Sequence, residues 1–283
     1  MIDLNRPERI KIVDVRPTGT VVTDDIFAAK DADARFTLQS ALGMSASQSL
    51  LVAPYNLVVE GADDFWFISA MSEMLRSAGR TSLDARVKVT PSFGAPEAAY
   101  MAAFMCGQDL DVVALFDSDD AGDAAEELLV KRWMTKYKDR AIAIARIGAA
   151  IEAAPGQATI EDLFDPQLYS ECVQEAYRRE LEGKALDLPA ADGRRILDRV
   201  SEALGRHGVG KFNKGRVSKL LYKRIRESTV DTFSKRTLSS FEKLFELLNS
   251  HVAAWDAKTT TSRMDVLPEP IVLPLRDGKP VAK

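Results

Sequence analysis

Acidic side chains follow two short apolar runs of this 283-residue chain. Glu60 and Asp64 come after the first run, and Asp117 and Asp119 come directly after the second. Residues two apart in extended backbone share a side, so Asp117 and Asp119 can face the same point. Carboxylates that converge repel one another unless a cation lies between them, and hard oxygen ligands select Mg²⁺ or Mn²⁺. The pattern therefore predicts a divalent-metal site with these four carboxylates as ligands.

A structural role for acidic residues after a strand has to be weighed against this metal site. Such residues are often helix N-caps or first-turn residues, where the helix dipole favours negative charge. Asp63 and Asp120 fit that role, and Gly61 permits a tight turn from strand to helix. Because an acidic group follows each of the two apolar runs, we favour the metal-site interpretation for Glu60, Asp64, Asp117 and Asp119.

These side chains need a scaffold in which strand ends meet, and the pattern from residue 50 onward indicates one. Apolar runs of strand length alternate with segments of helical period, which is typical of an α/β fold with a mostly parallel, helix-covered sheet. In such sheets the functional site lies at the carboxyl ends of the strands. The predicted strands and helices are Leu57–Val59, Asp63–Ala78, Val87–Thr90, Pro96–Cys106, Val112–Phe116, Ala124–Tyr137 and Ala141–Ala145.

Strand signals fade after residue 158, and helical periodicity replaces them. The helices predicted there are Asp165–Leu181, Gly193–Leu204, Gly215–Glu227 and Thr237–Ala254. The lead-in contains a short alternating stretch at Ile10–Val15 and a predicted helix at Asp31–Leu42. We therefore divide the chain into a lead-in (1–49), a catalytic α/β domain (50–164), a basic helical region (165–255) and an extended, proline-rich tail (256–283).

The two acidic motifs carry a family resemblance. Val59-Glu60-Gly61 with Asp64, followed later by Asp117 and Asp119, resembles the Toprim signature of topoisomerases, bacterial primases, recombination proteins and several nucleases. Residues 56–67 and 111–122 are more closely similar to the C-terminal half of the OLD (overcoming lysogenization defect) nucleases, and the resemblance is strongest over about residues 50–165. It implies a Toprim, Rossmann-like fold and two-metal hydrolysis of DNA phosphodiesters. By position it makes Glu60, Asp64, Asp117 and Asp119 metal ligands, with Glu60 and Asp117 also catalytic.

Two further site residues rest on the same resemblance. Glu161, next to Asp162 after the fourth strand, matches an acidic spot and is a candidate metal ligand, although a helix N-terminus accounts for it equally well. Lys214 matches a lysine that precedes a helix and points into the metal site, where it would stabilise charge on the phosphate. Lys211 is the second choice for this role. An ordinary surface lysine remains an open alternative for both.

The formal net charge of −4 conceals a strong asymmetry. Residues 194–243 contain 14 Lys and Arg against 5 Asp and Glu, a local charge of +9 that leaves −13 for the rest. A basic stripe at helical spacing suits phosphate contacts, although a solvated helix face is the plainer explanation. The candidate DNA-binding residues are Lys211, Arg216, Lys219, Lys223 and Arg226.

Composition excludes several kinds of chemistry and sets expectations for partners. Two cysteines and two histidines are too few for a disulfide framework, a cysteine zinc site or histidine-centred catalysis. No apolar run reaches the ~18 residues of a membrane span and no signal peptide is present, so we expect a cytoplasmic protein without a membrane partner. No Gly-x-x-x-x-Gly-Lys-Ser/Thr loop occurs. The resemblance therefore implies a nuclease half whose ATPase domain lies N-terminally in a longer protein, with oligomerisation possible through that domain.

The sequence alone leaves rival functions open. A non-catalytic Toprim-like module would retain DNA without cutting it. A receiver-like phosphoacceptor domain would need a lysine on a late strand, which the fourth strand lacks. Topoisomerase chemistry needs a nucleophilic tyrosine on a further domain, and primases and recombination mediators carry cysteine zinc modules; neither feature is visible here.

Overall fold

The structure is a computed structural model that describes residues 12–16, 19–23, 53, 55–107, 110–134, 142–152, 156–265, 275–276 and 279–280. In the lead-in, strands β1 (Ile12–Arg16) and β2 (Gly19–Thr23) form an antiparallel hairpin. The helix predicted at Asp31–Leu42 lies outside the described residues.

A four-stranded, all-parallel sheet forms the centre of the fold, as the alternation of strands and helices predicts. Its elements are β3 (Tyr55–Val59), α1 (Ala62–Ser77), β4 (Val87–Pro91), α2 (Ala95–Gly107), β5 (Asp111–Phe116), α3 (Asp120–Leu129) and β6 (Ala143–Arg146). The strand order is β4-β3-β5-β6, so β3 and β5 are the central pair. Both are covered on their two faces, which explains why they read as continuous apolar runs.

Helix α1 shows how the sequence sets the bounds of one element. It starts after Gly61, whose backbone is extended, and it ends before Gly79, which adopts a left-handed φ of 66°. Helical periodicity places Phe65, Ile68, Met71, Met74 and Leu75 on one face; Ile68, Met71 and Leu75 are buried, and Phe65 and Met74 are partly buried. Trp66 and Phe67 are buried as well, because further helices cover a second side of α1.

In the described part of the chain, five α-helices follow the sheet: α4 (Pro166–Ala176), α5 (Arg178–Leu181), α6 (Ile196–Arg206), α7 (Lys214–Arg226) and α8 (Lys235–Asp265). The expected extended tail from residue 256 is wrong over its first part, because α8 continues to Asp265. No glycine or proline occurs between Lys235 and Asp265 to stop the helix. Farther on, β7 (Leu275–Arg276) and β8 (Lys279–Pro280) pair antiparallel.

The added helices share a hydrophobic core with one face of the sheet. Phe164 lies between the two layers, with its ring centroid 5.1 Å from Phe67 of α1 and 5.0 Å from Phe241 of α8. A second cluster lies on the opposite face, where alanines of α2 pack under β5. The helical region is therefore continuous with the α/β layer rather than a separately packed body.

Within the described part of the chain, no helix combines the length and the apolar character required to cross a lipid bilayer.

Candidate functional site

The carboxyl ends of β3 and β5 bring the two acidic motifs together. The strands are parallel neighbours with Val59 opposite Leu115, so Glu60 and Asp117 leave the sheet at the same edge. The amide of Asp117 donates to Glu60 Oε1 at 2.8 Å, a direct bond between the motifs. The predicted convergence of these two residues at a sheet edge is present in the structure.

Asp64 and Asp119 serve as helix caps at this edge. Asp64 Oδ2 accepts from the amide of Gly61 at 2.8 Å, because the capping carboxylate belongs at the third helical position. Asp119 Oδ1 accepts from the amide of Gly122 at 2.9 Å at the start of α3. Asp63 and Asp120, for which the sequence favours a cap or first-turn role, are first-turn residues of α1 and α3.

Asp120 and Asp63 have other partners. Asp120 Oδ1 accepts from Gln157 at 2.9 Å. Asp63 is buried and faces Lys214 across the contact between α1 and α7, with Lys214 Nζ 3.3 Å from Asp63 Oδ2. Sequence analysis missed Asp63 as a site residue; two adjacent acids in a first helical turn signal that both can face inward.

Lys214 points into the acidic centre, as the family resemblance implied. It is the first residue of α7, and its Nζ lies 2.9 Å from Glu161 Oε1. Asn213 occupies the N-cap position but makes no side-chain capping bond. Glu161 is fully buried, at 0% exposure, in the short 3-10 turn Ile160–Leu163. The helical region thus supplies the cation nearest to Glu161 among the described residues.

Several buried oxygen atoms in this centre lack a well-aligned hydrogen bond. Neither carboxylate oxygen of Glu161 receives one, since the Lys214 ammonium lies at ion-pair distance but off the bonding direction. Asp63 Oδ1 and the hydroxyl oxygen of Tyr169 likewise lack a hydrogen-bond partner, and Tyr169 is 0% exposed. Buried oxygens without partners are costly, so the centre has unused capacity to bind a cation.

Burial and repulsion by neighbouring carboxylates raise the pKa values of Asp64 and Asp117. Burial, followed by the charges of Asp64, Glu161 and Glu60, raises the pKa of Asp117 well above its usual range. Burial also raises the pKa of Asp64 to about 7, although Lys214 opposes the shift. The pKa of Lys214 is well above its ordinary value because the surrounding carboxylates outweigh the opposing effect of burial.

Arg195 is a second cation at the site, and sequence analysis counted it only within the basic region. Its Nη1 lies 2.9 Å from Asp119 Oδ2, while its Nε donates to Asp198 at 2.9 Å. Arg146, at the end of β6, forms ion pairs with Asp123 and, at 3.5 Å, with Glu126. No local motif marks either arginine, because each reaches the site only through tertiary packing.

The donor atoms suit a divalent cation, whereas their present spacing is not that of a finished metal site. Carboxylate oxygens are the ligands that Mg²⁺ and Mn²⁺ prefer, and Glu161 Oε2, which accepts no hydrogen bond, would gain a partner. Among the described residues, however, no three His, Cys, Asp or Glu side chains are grouped closely enough to hold an ion. Lys214 and Arg195 neutralise the acids instead. Metal binding would therefore require these side chains to rearrange.

Some of the basic side chains in the predicted stripe on α7 form ion pairs with acids of the same chain. Arg216 pairs with Glu180 at 2.6 Å and lies 4.2 Å above the Tyr177 ring, and Arg226 pairs with Glu73. Lys211 and Lys223 are exposed, and Lys219 is partly buried. On the inner face of α7, Val217, Leu221 and Ile225 are buried, and Leu220 is partly buried.

Comparison with known proteins gives two solved structures similar to this chain. Both are the C-terminal region of the Xanthomonas campestris pv. campestris OLD protein, one phased with platinum and one with iodine. The first is 15% identical with a TM-score of 0.36 and spans 72% of this chain and 98% of the other. The second is 17% identical with a TM-score of 0.32 and spans 71% and 98%.

The matched proteins are of the family that the acidic motifs resemble. No protein-family model matches the sequence. No curated protein matches it either.

Proposed function

We propose that this chain is a metal-dependent nuclease that hydrolyses DNA phosphodiester bonds at the sheet edge. The observation that supports the proposal best is the set of carboxylates that surrounds Lys214. Burial and the charges of Asp64, Glu161 and Glu60 raise the pKa of Asp117, and carboxylates from two strand ends and from the turn at Glu161 lie around one ammonium group. An acidic centre with a lysine inside it suits a reaction in which metal cations and a phosphate group bind at the same place.

The residues that would hold divalent metal are Glu60, Asp64, Asp117, Asp119 and Glu161. Mg²⁺ or Mn²⁺ bound there would activate water and neutralise the leaving oxygen. The family resemblance implies two such ions. Glu60 also orders the backbone of Asp117 through its hydrogen bond, so it shapes the loop that presents Asp117 and Asp119.

Lys214 would neutralise the charge that develops on the phosphate. Asp63 and Glu161 fix its ammonium group at 3.3 and 2.9 Å, so the cation is positioned before substrate arrives. Preorganised charge of this kind is usually the main source of stabilisation for such a transition state. Lys211 is exposed, and we therefore prefer Lys214 for this role.

The cutting test uses supercoiled plasmid DNA with Mg²⁺ or Mn²⁺ and two variants of the chain. Asp117→Asn should lose at least about a hundredfold in rate, since a central metal ligand loses its charge. Asp120→Asn is the matched control, because Asp120 is an exposed acid three residues away. The absence of cutting by the unaltered chain would refute the nuclease proposal, and equal cutting by Asp117→Asn would refute the site.

The alternative is a Toprim-like module that binds DNA without cutting it. The pairing of Asp119 with Arg195 and of Glu161 with Lys214, in place of a ready-made metal group, favours it. It predicts retarded DNA in a gel shift and intact plasmid at every metal concentration.

DNA is the proposed partner in both cases. Lys211→Glu and Lys223→Glu should weaken DNA binding and reduce its salt dependence, because both side chains are exposed. The N-terminal ATPase domain and association through it remain predictions of the resemblance, and a cytoplasmic location remains a prediction from the sequence.

A further inference from the structure

A cavity of about 520 Å³ lies beside the acidic centre, where the starts of α6 and α8 meet the segment before α4. Its volume falls in the range of small-ligand sites, roughly 300–1,000 Å³. Ile151, Phe164 and Ile196 contribute apolar surface. The hydroxyls of Ser239 and Ser240 line it as well. A wall that is part apolar and part hydroxyl suits a ligand with a flat organic portion and a polar portion.

Four cationic side chains line the same cavity: Arg194, Arg199, Arg236 and Lys243. Arg199 donates its Nε to the carbonyl of Pro189 at 2.9 Å. Within the described part of the chain, nothing accepts a hydrogen bond from its terminal nitrogens. Arg236 is exposed and likewise has no acceptor among the described residues. Two guanidinium groups with unused donors thus border one space.

The acids that border the cavity do not cancel these cations. Glu152 lies 3.5 Å from Lys243 but its side chain is 89% exposed, so solvent screens the pair. Asp162 accepts from the amide of Ile196 at 2.7 Å and from that of Thr159 at 2.9 Å, so each of its oxygens already has a donor. Arg194 is already paired with Glu202 at 2.6 Å, so Arg199 and Arg236 are the cations that leave the lining net positive, with donors of fork geometry.

This cavity is distinct from the carboxylate centre, although the same two chain segments border both. Arg195 reaches Asp119 at the centre, whereas its neighbour Arg194 lines the cavity. In the other segment Glu161 faces Lys214, whereas Asp162 lines the cavity. Successive residues point to opposite sides, so a single layer of backbone separates the two sites.

We propose that this cavity binds a nucleotide unit, with its phosphate on Arg199 and Arg236 and its base against the apolar surface. Arginine forks match phosphate oxygens in pairs, which lysine cannot do, and the apolar surface excludes a site for phosphate alone. The unit can be a free nucleotide or the phosphorylated end of a DNA strand, which share this chemistry. The proposal does not depend on catalysis at the carboxylate centre.

The test measures binding by the full chain in EDTA, where cutting plays no part. The probes are ADP, inorganic phosphate, and a short single-stranded oligonucleotide with and without a 5′ phosphate. Arg199→Gln and Arg236→Gln each remove one cation from the cavity. Lys235→Gln is the matched control, because this exposed lysine adjoins Arg236 in sequence and does not line the cavity.

We expect each arginine variant to weaken binding of the nucleotide probe about tenfold or more, which corresponds to the loss of one charge-assisted hydrogen bond. Lys235→Gln should leave it unchanged. Tight binding of ADP identifies the free nucleotide as the source, and binding of the 5′-phosphorylated strand alone identifies DNA. The proposal is overturned if neither binds, if inorganic phosphate binds as tightly, or if Lys235→Gln has the same effect. A failed plasmid assay alone would leave these results unaffected.

Discussion

Single residues at the acidic centre depend on one another for their charge. Glu161 is completely buried, and its nearest described cation is the ammonium group of Lys214. Asp63 shares that cation at 3.3 Å. A buried charge without a partner is far more costly than a paired one. Lys214 therefore contributes to the stability of the fold as well as to the proposed reaction.

Replacing Lys214 by Met should lower the free energy of unfolding by about 1–3 kcal/mol, since two buried carboxylates lose their counter-charge. The expected loss is smaller than for a deeply buried pair, because the lysine side chain is 38% exposed. Chemical denaturation at pH 8 in EDTA measures the change. Lys211→Met, at an exposed lysine, is the control and should be neutral. An equal loss in both variants would contradict the role given to Lys214.

Stability should fall as the pH rises from about 4 to about 7 in the absence of divalent metal. In the folded chain the pKa of Asp64 is about 7, against an ordinary value of 3.8. Over that window the folded chain binds more protons than the unfolded chain, so raising the pH favours unfolding. Thermal melts in EDTA across this range measure the slope.

Asp64→Asn keeps an acceptor for the Gly61 amide and removes the charge. It should therefore raise the free energy of unfolding by about 1–2 kcal/mol at pH 8 and by much less at pH 4. Mg²⁺ should stabilise the unaltered chain more than this variant. An unaltered pH slope in Asp64→Asn would show that Asp64 does not titrate as stated.

At the scale of elements, the start of α3 must approach the Asp117 loop very closely. A Cβ atom built on Gly122 would lie 2.1 Å from the carbonyl oxygen of Asp117. The amide of Gly122 also donates to Asp119. This helix start therefore fixes both acids of the second motif, and only glycine fits at position 122.

Gly122→Ala should reduce both stability and metal-dependent cutting. Backbone must move to relieve the clash, at a cost of about 2 kcal/mol or more. Gly205→Ala is the control, since nothing lies within 4 Å of a Cβ there and alanine favours helix α6. It should be neutral or stabilising by up to about 1 kcal/mol. Melting temperatures and plasmid cutting rates of the two variants check the contrast.

The elements themselves were largely predictable from local pattern. The four strands were located to within a few residues because each central strand is a buried apolar run between turn signals. Which acids cap α1 and α3 was not predicted, since the starts of these helices depend on backbone bonds that periodicity does not show. Arg195 and the cavity were beyond prediction, because they depend on which helix packs on which strand end, whereas the adjacent acids Asp63 and Asp64 carried a local signal.

For the whole molecule, the shared core makes sheet and helices one cooperative unit. Phe164 joins Phe67 and Phe241 across the two layers, and Trp255 of α8 stacks on Tyr55 of β3 with ring centroids 5.7 Å apart. The division into an α/β domain and a helical region at residue 164 therefore describes the sequence pattern better than it describes the packing.

We expect helix content and tryptophan fluorescence to change at the same denaturant concentration, since one core holds both layers. Phe241→Ala should lower the free energy of unfolding by about 3–5 kcal/mol and shift both transitions together. Circular dichroism and fluorescence on the same samples measure the two. The exposed Phe104→Ala serves as the control with little effect. Separate midpoints for the two signals would contradict a common core.

The span of the acidic centre along the chain has a consequence during protein synthesis. Glu60, Asp117 and Glu161 leave the ribosome well before Lys214, and the lysine lies at the start of a helix that must pack on α1. Until α7 has been translated and docked, the nascent chain holds acids that repel one another and no complete centre. A protein that cuts DNA in the proposed way would thus remain inert until α7 had been translated and packed on α1.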